Sequence, residues 1–394
     1  TLTVTNLSTA LRFLPGDVWE LPQLNASVQG IQMKISAVVT NATALRKRQT
    51  KSEGPSTPST TSSGEAILHR VLTELARVQF AAPPGIELAF RGDAKQERGL
   101  QAELKVMALD LRTPWAGGRN AIFIARIVQQ PGTNGPASAD FRLEAERLRT
   151  TNFNASAERL LLTARLNRQS ARTNDWDASW EITLNEAKTK WAEAATFRLT
   201  GQTAPRPLAP DQLRASLSLH TTVLKSEWAQ LAEGRLTGNA TYVPARNELL
   251  AADAEAQLFA PTSKWGEAKQ GRVSVNVTRI GARASGPQQP QEIQGQLKAI
   301  ANSGRAPAEW GFWRNLAPWR IETSVALEGV KSDLKSLELG KFNFAAHWRA
   351  PNLSVTNLHA EFYGGTLETD AHLDVESRRA AASGQFDFDV YRIR

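Results

Sequence analysis

From Ile86 onward, apolar and polar residues alternate almost everywhere. The cleanest runs are Trp176-Ala178-Trp180-Ile182-Leu184, Val273-Val275-Val277, and Leu217-Leu219-Thr221-Val223 with Ser216, Ser218 and His220 between them. A period of two sends successive side chains to opposite sides of the backbone, so the pattern predicts strands with one apolar and one wet face, normally antiparallel. Residues 1–49 alternate in the same way around the turn-like Leu14-Pro15-Gly16-Asp17 and Leu21-Pro22, which predicts two or three strands. Residues 50–64 are a Ser/Thr/Pro/Gly stretch that cannot build a core and reads as a flexible linker. A period nearer 3.6 appears in one place. Leu68, Val71, Leu72, Leu75 and Gln79 share a face and predict a short amphipathic helix over 65–80, within a segment 65–85 closed by Pro83-Pro84-Gly85.

Superimposed on the alternation is a longer repeat. Trp191, Trp228 and Trp265 stand 37 residues apart within one phrase: Thr189-Lys190-Trp191-Ala192, Ser226-Glu227-Trp228-Ala229 and Ser263-Lys264-Trp265-Gly266. Seven residues later comes Arg198, Arg235 or Arg272, each opening a strand-like run. Steps of 38 backward reach Phe153 and then Trp115. A fixed period of this size marks a repeat architecture, and each unit has room for two long strands or for three to four short ones. The five aromatics, Trp115, Phe153, Trp191, Trp228 and Trp265, are expected to pack each unit against the next. The array is assigned to 86–300, followed by a C-terminal β segment over 301–394.

Composition narrows the function. Of 394 residues 41% are apolar and 22% charged, a globular balance, and no apolar stretch approaches the roughly 18 to 20 residues of a spanning helix. There is no cysteine, which excludes disulfides and thiolate metal sites. The 47 basic and 39 acidic residues give a net charge of +8 spread along the strands, a distribution that suits a solvated face and leaves nucleic acid the weakest partner. His69, His220, His347, His359 and His372 lack metal-ligand spacing, and neither Gly-x-Ser-x-Gly nor a phosphate-binding Gly-x-x-x-x-Gly-Lys loop occurs. No catalysis, cofactor or metal is expected. An outer-membrane barrel is disfavoured by charges read on both strand faces, as in Phe141-Arg142-Leu143-Glu144-Ala145-Glu146-Arg147.

The passage from Phe344 to Val375, with its Tyr363-Gly364-Gly365 turn and the following Leu367…Ala371-x-Leu373-Asp374-Val375, resembles the AsmA-like proteins of the bacterial envelope. Leu2-Thr3-Val4-Thr5-Asn6-Leu7 and the run from Val28 to Ile35 are similar in style. The resemblance implies a mostly β chain: an elongated repeat antiparallel sheet curled into an apolar groove that shelters phospholipid or other acyl lipid between two membranes. It also implies a periplasmic location, an inner-membrane anchor outside this segment and envelope protein partners. The strand-like ending Phe386-Asp387-Phe388-Asp389-Val390 agrees with a piece of a longer protein. Ile182, Leu184, Leu217, Leu219, Val273, Val275 and Val277 are the candidate lipid contacts. The competing expectation is a structural or secretion-linked β scaffold that binds protein and no lipid.

Overall fold

The structure is a computed structural model that describes residues 4–28, 31–44, 79–96, 99–130, 137–150, 154–168, 176–206, 209–280, 311–332, 337–362 and 365–387. Strands hold 82% of these residues and helices 3%. The chain divides into two compact units, Thr1–Trp191 with Thr196–Arg198, and Ala192–Ala195 with Leu199–Arg394. The linker at 50–64 and nearly all of the 65–80 helix lie outside the described residues. The end of that helix is corrected: Gln79 and Phe80 are a two-residue strand opposite Arg112 and Leu111.

The first unit contains β1 (Val4–Leu14), β2 (Val18–Val28), β3 (Ile31–Thr40), β4 (Gln79–Phe80), β5 (Gly85–Asp93), β6 (Gln101–Arg112), β7 (Ala116–Gln129), β8 (Ala137–Thr150), β9 (Ser156–Arg168) and β10 (Trp176–Lys188). Consecutive strands pair antiparallel from β1 to β3 and from β5 to β10. The departure is β3 beside β5, which run parallel with Met33 at Ile86 and Ile35 at Leu88. Pro15 and Gly16 do form the first hairpin, where Gly16 (φ 80°) and Asp17 (φ 58°) supply the left-handed backbone. Leu21-Pro22 is not a turn. Proline brings no N–H to the ladder, and β2 absorbs it as an irregularity between Leu21 and Leu24.

The chain leaves the first unit through β11 (Ala192–Arg206). The second unit contains β12 (Ala209–Ser226), β13 (Ala229–Val243), β14 (Glu248–Phe259), β15 (Thr262–Ser263), β16 (Gly266–Glu267), β17 (Gln270–Arg279), a one-turn helix α1 (Trp313–Leu316), β18 (Trp319–Ser332), β19 (Leu337–Arg349), β20 (Asn352–Phe362), β21 (Gly365–Asp374) and β22 (Arg379–Asp387). Its long strands pair antiparallel, β14 directly with β17, and the small β15–β16 hairpin that links those two in the chain pairs β15 with β13 and β16 with β18. The 37-residue repeat is therefore two long strands and their turns.

The repeat has a backbone signature that its sequence hides. Glu186, Val223 and Ala260, again 37 apart, are non-glycine residues with φ of 50°, 50° and 47°, each three residues before the Thr or Ser of the tryptophan phrase. Such a residue interrupts the regular pleat just before the turn.

The interior is thin. Buried apolar residues are mostly alanines, joined by Leu160, Val243 and Trp348. In a two-layer domain the large aliphatic and aromatic side chains are the ones removed from water, because each buries the most area. Here, among the described residues, most of them are only half-buried.

Candidate functional site

Register across the strands sorts most side chains onto two faces, with Ile122, Ile124 and Leu161 as apolar residues on the polar one. In the first unit Leu104, Val106 and Ala108 oppose Ala125, Phe123 and Ala121, which in turn meet Phe141, Leu143 and, through Leu143, Leu162. Leu160 and Leu162 then oppose Leu184 and Ile182. One face is thus apolar from strand to strand. Its best-buried patch joins Ala108, Ala121, Ala145 and Leu160, with Phe80, Leu143, Leu162, Ile182 and Leu184 packed around it. Phe123 and Phe141 stack with centroids 6.5 Å apart on the same face.

The second unit repeats the arrangement. Leu217 and Leu219 oppose Gly238 and Leu236, and Val273, Val275 and Val277 oppose Ala256, Ala254 and Ala252 on one side and Val325, Thr323 and Ile321 on the other. All seven candidate contact residues therefore lie on the apolar face of their unit, two in the first and five in the second. Leu217 is 38% exposed and the other six are half-buried. Over the second unit's face one cover is seen among the described residues. Helix α1 lays Trp313 on Trp348, centroids 4.9 Å apart, and the Trp348 indole N–H donates to the Leu316 carbonyl at 2.8 Å. Trp348 is accordingly 3% exposed.

Sequence reading missed Phe123, Phe141, Leu143, Leu160 and Leu162 on the first unit's face, and Phe342 and Phe344 on the second's. Alternation carried the signal in 139–145. In Leu160-Leu161-Leu162 it was hidden, since Leu161 sits on the polar face opposite Glu144 and Thr183. The same register corrects the charge reading of 141–147: Arg142 and Glu144 share one face, while Phe141, Leu143 and Ala145 occupy the other.

The polar face is tied by ion pairs between strands. Arg126 donates to Glu103 at 2.7 Å, Arg165 to Asp140 at 2.5 Å, Arg198 to Glu181 at 2.9 Å and Arg272 to Glu255 at 2.8 Å. The Glu233 carboxylate takes a hydrogen bond from Arg235 Nε at 2.7 Å and lies 3.0 Å from His220 Nε2; Arg235 first and His220 second hold its pKa below the ordinary glutamate value. Hydrogen bonds from Asn41 and the Lys95 amide likewise lower Asp93, and those from Ser377 lower Asp374. His220, His347, His359 and His372 all belong to the polar face, and no group of side chains suited to a metal ion occurs among the described residues.

Trp115, Trp191, Trp228 and Trp265 stand at hairpin turns, 50%, 48%, 54% and 62% exposed; Phe153 lies outside the described residues. A hydroxyl two residues earlier caps each of these turns. Thr113 Oγ1 accepts from the amides of Trp115 (3.3 Å) and Ala116 (2.9 Å), Ser226 Oγ from Trp228 (3.3 Å) and Ala229 (3.0 Å), Thr189 Oγ1 from Trp191 (3.2 Å) and Ser263 Oγ from Trp265 (3.2 Å). This is local side-chain capping of a turn, which Ser and Thr do well. Lys190 and Lys264 stand over the rings of Trp191 and Trp265 at 4.4 and 4.7 Å.

No helix among the described residues is long and apolar enough to cross a membrane. No protein-family model matches the chain, and neither the curated proteins nor the solved structures compared with it contain a match.

Proposed function

We propose that the chain is a non-catalytic, AsmA-like envelope protein whose apolar sheet face curls into a groove and shelters phospholipid acyl chains on their way between inner and outer membranes. In this reading it works in the periplasm, held to the inner membrane by a segment outside this sequence. One observation carries the reading: an apolar face continues from β6 to β10 in the first unit and from β12 to β19 in the second, yet most of its large side chains are only half-buried, with α1 the one cover of the second unit's face among the described residues. Such a face gains free energy from any apolar occupant, about 0.8 kcal/mol for each methylene removed from water. Affinity then comes from area and needs no specific pocket residue, which suits a face built from interchangeable Leu, Val, Ile, Ala and Phe.

The test is mass spectrometry of lipid retained after detergent-free purification. Several phospholipids per chain are expected, and a Leu219→Asp/Val275→Asp double variant with native circular dichroism should lose those held by the second unit. Native lipid content in that variant would overturn the assignment of these contacts. A scaffold that binds protein and no lipid is favoured by a different observation, the Ala108–Ala121–Ala145–Leu160 patch, where the face already covers itself. A lipid-free, monodisperse wild-type chain would select that reading.

A further inference from the structure

We infer that the polar face of the first unit carries a phosphate-binding cleft at the Trp115 hairpin, on the side of the sheet away from the proposed lipid face and independent of it. The cleft, about 240 Å³, is lined by Arg112, Arg119, Arg147 and Arg149 over the backbone of Gly117 and Gly118. Its position follows from the pleat. Leu111 and Leu148 pack against the apolar patch, and a Cβ on Gly118 would meet Ala145 and Leu148, so Arg112 and Arg149, next to those leucines, emerge on the opposite side.

The charge there is uncompensated. Farther along the same strands several polar-face arginines are tied to a carboxylate: Arg126 to Glu103, Arg142 to Glu144, Arg165 to Asp140. None of the four cleft arginines makes an ion pair among the described residues. Against four guanidinium groups stand Asp110, which lines the cleft, and Glu146, whose carboxylate already accepts from Asn120 at 2.8 Å. Guanidinium forks match phosphate oxygens in geometry and stay charged at any working pH. On the cleft side Gly117 leaves the floor without a side chain beside Arg112. The volume falls below the roughly 300 Å³ at which pockets for organic ligands begin, which suits a single phosphate group.

That phosphate belongs either to a free anion or to a lipid headgroup, with the exposed Trp115 beside it at the turn. The experiment uses the whole chain and three probes: inorganic phosphate followed by calorimetry, cosedimentation with phosphatidylcholine vesicles containing one quarter phosphatidylglycerol, and a single-stranded oligonucleotide. Saturable phosphate binding without vesicle binding identifies a free anion as the ligand. Vesicle binding that phosphate competes away identifies a headgroup. In either case Arg112→Gln/Arg119→Gln/Arg149→Gln should weaken binding by about tenfold or more. Arg126→Gln/Arg142→Gln/Arg165→Gln removes the same charge from the same face and should bind as wild type. If the triple cleft variant does not fold, Arg149→Gln alone is titrated and a several-fold loss is expected. Absence of binding to both phosphate and vesicles, equal losses in cleft and control variants, or preference for the oligonucleotide would overturn the inference.

Discussion

Leu219→Ala separates an open apolar face from a closed core by its cost. Burying a leucine fully contributes about 1.5–3 kcal/mol, and truncation in a sealed core costs about 2–5 kcal/mol because a cavity adds to the lost transfer energy. Leu219 is half-buried, opposite Leu236. On an open, lipid-free face its truncation forfeits about half the transfer energy and leaves no cavity, about 1 kcal/mol. Trp348 is the internal reference, since it belongs to the same unit but is covered by α1. Trp348→Ala should cost about 3–5 kcal/mol, with roughly 1 more for the Leu316 carbonyl left without its donor. Urea unfolding of delipidated protein reads both: at a slope of about 2–3 kcal/mol per molar, Leu219→Ala shifts the midpoint by roughly 0.3–0.5 M and Trp348→Ala by more than about 1 M. Adding phospholipid should enlarge the Leu219 effect and leave the Trp348 effect unchanged. A Leu219→Ala shift as large as that of Trp348→Ala, at unchanged slope and without lipid, would mean a sealed interior and refute the open-face argument.

Two further outcomes are expected. Ser226→Ala removes the acceptor of the Trp228 and Ala229 amides and should destabilise by about 1 kcal/mol, seen as faster hydrogen exchange at those two amides while neighbouring strand amides keep their protection. Glu233 binds its proton less readily in the folded state than in the unfolded chain, because Arg235 and His220 favour its charged form. Its contribution is therefore complete above the unfolded value and lost as pH falls through the lower folded value. Glu233→Gln should flatten that acid limb of the stability curve, and an unchanged limb in urea titrations would show that the pair does nothing for folding.

Much of the architecture was legible because strand periodicity is local. A side chain's face follows from its parity, so all seven contact candidates fell on the apolar face from alternation alone. The tryptophan ladder marked turns for a similarly local reason: a Thr or Ser hydroxyl two residues ahead caps the amides. The ring's exposure was not legible, since neither spacing nor residue type says how much of an aromatic at a turn meets solvent. The positive-φ residues Glu186, Val223 and Ala260 were invisible for want of glycine or asparagine to announce them.

By itself the sequence determined the strands, their two-faced character, the 37-residue unit and the chemistry available, with no thiol and no catalytic motif. Only the tertiary structure decided who meets whom. The parallel β3–β5 pair, the docking of α1 on Trp348, and the choice of a carboxylate partner for an arginine depend on register between residues far apart in the chain, such as Glu103 and Arg126. Alternation is written in neighbouring residues. Partnership is set by the strand alongside, and that strand is chosen by the energy of the whole sheet.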